Sequence, residues 1–139
     1  MIRIVLITIL FIIMSVIAFA QQADDIIGKY HLPNKIDVEI YKVNNRYFGK
    51  IISLNNFEYG QTLDINNSDE AEHNTPILGM EIIKNLEFDS QKKQWVNGSM
   101  YGAEKGITFN LKITEYHKNE IEVVGSKYLF WKTLIWKAI

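Results

Sequence analysis

The chain has 139 residues, 15 basic against 16 acidic side chains and no cysteine. That length suits one domain, the near-neutral charge argues against a nucleic-acid binder working by phosphate neutralisation, and the lack of thiols excludes a disulfide scaffold, a cysteine zinc site and thiol catalysis. Hydrophobic residues make up 47% and aromatics 12%, which excludes a chain disordered by composition.

The apolar content is concentrated at the start. Arg3 supplies a positive charge, Ile4 to Phe19 is almost wholly apolar, and Ala18-Phe19-Ala20 fits a small-x-small cleavage site. This three-part layout predicts a signal peptide over residues 1–20, leaving residues 21–139 as a single periplasmic or secreted domain with no stable membrane span. An uncleaved anchor is the rival reading, because the apolar run is near the lower limit for crossing a bilayer.

Beyond Gln21 the hydrophobic period is mostly two. Short runs fall at Ile26–Tyr30, Ile36–Tyr41 and Tyr47–Leu54, the last two joined through Asn44-Asn45, whose side chains tolerate the positive φ of a tight hairpin. A polar stretch, Asn55–Thr75, interrupts the rhythm and reads as a solvated loop, with a functional role as the sharper alternative. Runs resume at Met80–Ile83, Leu86–Asp89, Gln94–Tyr101, Ile107–Glu115, Glu120–Val124 and Tyr128–Ala138. The clearest alternation sets Ile107, Phe109, Leu111 and Ile113 against Thr108, Asn110, Lys112 and Thr114, which predicts that the apolar four point inward. Short turns between about eight strands predict an all-β fold, a single antiparallel up-and-down barrel, with a two-sheet sandwich as the alternative.

Several segments resemble the domain of unknown function 2147 family, exported bacterial proteins with a lipocalin-like β-barrel. Gly28-Lys29-Tyr30 stands where that family usually has Gly-x-Trp. Tyr47-Phe48-Gly49-Lys50-Ile51-Ile52 is similar to the return strand of its first hairpin, and Thr75–Ile83 to its Pro-Leu-x-Gly-Leu-x-Ile-Leu segment. Gly98, Tyr101 and Gly106 keep the spacing of its Gly-x-Ile-Tyr-Asp-Pro-x-x-Gly stretch, although Gly102 and Ala103 replace the Asp-Pro and Phe109 replaces a tyrosine. The resemblance implies a fold and an exported location. It implies no reaction.

Catalytic and metal chemistry find little support in the residues. His31, His73 and His117 sit in or beside turns, without the spacing that aims two rings at one metal. Asp64, Asn66, Asp69, Glu70 and Glu72 supply oxygen ligands but lack the glycine and regular alternation of a calcium loop. No nucleophile elbow or phosphate-cradling glycine loop is present. The prediction is therefore no catalytic residue, no metal, no cofactor and no enzyme.

The aromatic residues remain. Trp95, Tyr101, Phe109, Tyr128, Phe130, Trp131 and Trp136 gather in the second half. Trp95 and Tyr101 lie an even number of residues apart, so on a regular strand they share a face with Asn97 and Ser99. The sequence thus predicts a non-catalytic exported barrel binding a small apolar or amphipathic ligand, with Trp95, Tyr101 and Trp136 lining the site. The alternative is a structural or protein-interaction module whose core is filled by its own side chains.

Overall fold

The computed structural model describes residues 2–7, 9 and 22–139. Most of the expected signal peptide, including its site at Ala18-Phe19-Ala20, lies outside the described residues. Residues 2–7 and 9 are helical and exposed, and no described helix is long and apolar enough to cross a membrane.

Eight strands follow: β1 (Gly28–His31), β2 (Asp37–Val43), β3 (Arg46–Ser53), β4 (Glu81–Asp89), β5 (Gln94–Gly102), β6 (Ile107–His117), β7 (Glu120–Lys127) and β8 (Phe130–Ala138). Each pairs antiparallel with its sequence neighbour, and β8 returns to β1 to close a barrel. Short turns force neighbours to pair, and closure spares the sheet two bare edges. The seam is narrow. Tyr30↔Ala138 and His31↔Lys137 pair β1 with β8, and Ile139 N–H donates to Lys29 O (3.0 Å) just past them, whereas β7 and β8 pair from Glu120↔Lys137 to Lys127↔Phe130.

Two expected runs, Met80–Ile83 and Leu86–Asp89, are one strand. Asn85 adopts φ 62° inside β4, so the period-two pattern breaks there while the backbone carries on. The expected inward face of β6 is present but graded. Ile113 is 0% and Leu111 3% exposed, Phe109 is half-buried, and Ile107 is 42% exposed. The interior is filled at the Ile113 end and opens towards Ile107.

The polar stretch after β3 is packed rather than simply solvated. Phe57 and Ile77 are buried, Leu63 bridges Pro76, and two short 3-10 turns cover Phe57–Tyr59 and Glu70–Glu72. Its polar side chains fold onto the β5–β6 turn: Asn66 Nδ2 donates to the carbonyls of Ala103 (3.2 Å) and Glu104 (3.1 Å), and Gln61 Nε2 donates to Ala103 O (3.2 Å). Among the described residues, the buried core runs from Ile26 to Trp136 and the strands from Gly28 to Ala138.

Candidate functional site

The two ends of the barrel differ. One carries the tight turns after β2, β4 and β6, and the segment 22–27 closes it from below. Trp95 is buried there, its Nε1 donating to Ala23 O (2.9 Å) and its ring meeting Phe88 edge-on at 5.0 Å. Asp24 Oδ1 accepts from Tyr47 Oη (2.5 Å) and Lys42 Nζ (2.9 Å), and Tyr30 Oη donates to Ile26 O (2.9 Å). Burial pushes the Tyr30 phenol up to about 12.

This plug carries a pH dependence. The hydrogen bonds from Tyr47 and Lys42 hold the Asp24 carboxyl below its ordinary 3.8. A folded value below the unfolded one stabilises the protein above the unfolded value and stops doing so as pH falls through the folded one. Asp24 is 42% exposed, so solvent screening keeps the contribution to about 1 kcal/mol or less. Asp25 beside it runs the other way, because burial and the Asp24 charge raise its carboxyl. Asp24→Asn should therefore flatten the fall in urea midpoint as pH drops below about 4. An unchanged acid limb in that variant would remove Asp24 from the plug's energetics.

The other end is hollow. A cavity of about 620 Å³ opens between the β5–β6 turn, the β7–β8 hairpin and the β1–β2 connection. Its deep part is apolar, made by Met100, Leu111, Val123 and Trp136, with Phe109 and Leu134 higher on the wall. Charged side chains stand among the lining residues, Glu104 against Lys105, Lys127 and Lys132. None of the three lysines forms an ion pair among the described residues; Lys127 Nζ donates to Thr108 O (2.7 Å). Behind the wall, the indole Nε1 of Trp136 is fully enclosed and has no acceptor among the described residues.

Of the three aromatic residues singled out in the sequence, the structure brings only Trp136 to this cavity. Trp95 lies in the plug and Tyr101 lies on the opposite face of β5. The expectation that Trp95 and Tyr101 share a face is overturned by an extra residue in the strand. Between Trp95↔Ile113 and Gly98↔Leu111 the register shifts, and Asn97 takes φ 62°. Such a bulge inverts the alternation beyond it. Met100 then faces the cavity, while Tyr101 Oη donates to Asp64 Oδ1 (2.6 Å) beneath the long loop. Burial and the Asp64 carboxylate push that phenol well above the ordinary tyrosine range.

The acidic and histidine side chains of the loop serve local structure. Asp64, almost fully buried, also accepts from Asn67 Nδ2 (2.8 Å), Asp69 caps Ala71 N (3.0 Å), and Glu72 accepts from Thr75 Oγ1 (2.8 Å). His73 Nε2 bonds Asn67 O (2.7 Å). Sequence reasoning missed Met100, whose inward direction depends on the bulge, and the basic mouth. Lys127 and Lys132 were legible as inward positions two and four residues along from Gly125 and Trp136 on regular strands, once the β7–β8 register is known.

A closed eight-stranded meander with one end plugged and the other hollow is the geometry on which comparison with known proteins turns. The family model described as "Uncharacterized protein conserved in bacteria (DUF2147)" matches residues 28–138. The chain belongs to this family. Within the matched residues, Tyr30 uses its hydroxyl to tie β1 to the plug. No curated protein matches the chain. Among solved structures it is similar to the protein HP1028 of Helicobacter pylori, titled as belonging to the lipocalin family, with a TM-score of 0.71 and 18% identity over 82% of each chain. That likeness shows a lipocalin-like fold.

Proposed function

We propose that the protein is exported after removal of residues 1–20 and holds a small amphipathic molecule, without catalysis, in the hollow end of its barrel. The observation that carries this reading is the cavity itself: about 620 Å³ and apolar in its depth, with the Trp136 ring in its lining. Pockets for small molecules span about 300–1,000 Å³ and combine apolar walls with few polar anchors. Met100, Leu111, Val123 and Trp136 supply the apolar depth, and the lysines and Glu104 stand as the charged groups among the lining residues. The surplus of lysine over glutamate at the mouth favours an acidic head there, with the apolar tail inside. The location of the charges in the mouth, around an apolar hollow, suits binding better than acid–base work, which needs titratable groups converging on one reacting atom.

The test is a titration of the chain from Gln21 with long-chain fatty acids, quinones and haem, read by calorimetry and by tryptophan quenching. Saturable binding of at least one is expected. Trp136→Phe shortens the ring in the apolar lining, so it should weaken binding about two- to tenfold through lost apolar contact. Stability should change little, because the lost ring volume is offset by removing an unsatisfied donor. No saturable binding across the panel would overturn the reading in favour of an interaction module.

A further inference from the structure

The two-residue turn between β7 and β8 differs in its residues from the one between β2 and β3. Between β2 and β3 the two turn residues are Asn44 and Asn45, both at positive φ, where asparagine is tolerated. Between β7 and β8 they are Tyr128 and Leu129, and Tyr128 is held at φ 55°. An aromatic residue in the left-handed region is strained, as at Tyr59 (φ 58°) in the long loop. The side chains gain no burial in return. Tyr128, Leu129, Phe130 and Trp131 are 90%, 87%, 80% and 75% exposed, four large apolar residues in a row. Among the described residues of the barrel, no other run of this kind is exposed.

The charges around this tip have one sign along the chain. Lys127 and Lys132 flank it, Lys105 stands on the neighbouring turn of the same mouth, and no acidic residue occurs after Glu122. Glu104 is the one acid among the lining residues. Lys127 Nζ lies 5.4 Å over the Tyr128 ring, which holds an ammonium beside the apolar tip. Tyrosine and tryptophan prefer the headgroup layer of a bilayer, leucine and phenylalanine reach just below it, and lysine stems let their ammonium groups stay with the phosphates. A protein with net charge −1 has no general attraction to an anionic surface, so this local basic collar sets the orientation.

We infer that the β7–β8 hairpin tip docks on an anionic lipid surface, inserting Tyr128 to Trp131 into the headgroup layer. Phe130 and Trp131 line the cavity as well as the tip, so docking turns the open end of the barrel towards the bilayer. The inference stands apart from the ligand reading, since it rests on the exposed tip and its lysines.

Flotation of the chain from Gln21 with phosphatidylcholine vesicles, with and without phosphatidylglycerol, tests it. Binding to the anionic vesicles is expected, weakening with salt, and Trp131 should shift its emission to the blue, a shift lost in Trp131→Phe. The exposed double variant Leu129→Ser/Trp131→Ser should lose more than about tenfold in partitioning, and each of Lys127→Gln and Lys132→Gln about fivefold. Unchanged thermal midpoints in these variants show that the barrel is intact. Absent binding to anionic vesicles, or equal binding by the double variant, overturns the proposal. So does vesicle-free self-association abolished by the same double variant, which would assign the tip and the half-paired β8 to a second copy of the chain.

Discussion

Trp95→Ala should lower the stability of the barrel by about 3–5 kcal/mol, the range for removing a large buried aromatic side chain. Trp95 is among the largest fully buried side chains, packs edge-on against Phe88 and reaches Tyr116 at 6.4 Å. Its N–H also ties the plug to the sheet through Ala23 O. The variant leaves a cavity at the closed end and an unpaired carbonyl on the segment that closes it. Thermal unfolding should show a midpoint lower by about 10 °C or more. Trp131→Ala is the matched control. That ring is largely exposed, so stability should change by about 0.5 kcal/mol or less. Similar losses at both positions would mean that the plug does not support the barrel.

Gly106→Ala should cost about 2–4 kcal/mol and loosen the long loop. Gly106 has φ 66°, and a Cβ there would stand 1.8 Å from Asn66 O and 2.5 Å from Asn66 C. Those atoms are backbone and cannot swing aside, so the turn must part from the loop segment that Asn66 pins to Ala103 and Glu104. Faster amide exchange at Asp64, whose N–H donates to Thr75 O (2.9 Å), should accompany the loss in urea midpoint. Gly79→Ala separates strain from clash. Its φ is 85° with no atom within 4 Å of the added carbon, so it should cost only about 1–3 kcal/mol and leave Asp64 exchange unchanged. Equal exchange in both variants would show that the Gly106 contact does not hold the loop.

The barrel was legible because its strands repeat every two residues and its turns are short. Alternation at Ile107–Ile113 and at Val38–Ile40 reports one buried face, and turns such as Asn44-Asn45 leave little choice but antiparallel pairing of neighbours. Closure over a two-sheet sandwich is decided where β8 meets β1 at Tyr30. The site was legible only at Trp136. Trp95 and Tyr101 were joined by counting residues along a strand assumed regular, and one bulge at Asn97 sends them to different faces.

The amino-acid pattern by itself determined the fold class and the strand order, because period and turn chemistry are local properties. It also marked the apolar run at residues 4–19 and the acidic, asparagine-rich stretch after β3. Only the tertiary structure decided which rings face which space. Packing selects whether a strand bulges, and a single extra residue exchanges inside for outside over everything that follows. It also decided that the interior is solid beside Ile113 and hollow beside Ile107, since the same alternation describes a filled barrel and an open one. Whether side chains meet across the axis depends on how strands far apart in sequence converge. No count along one strand contains that distance.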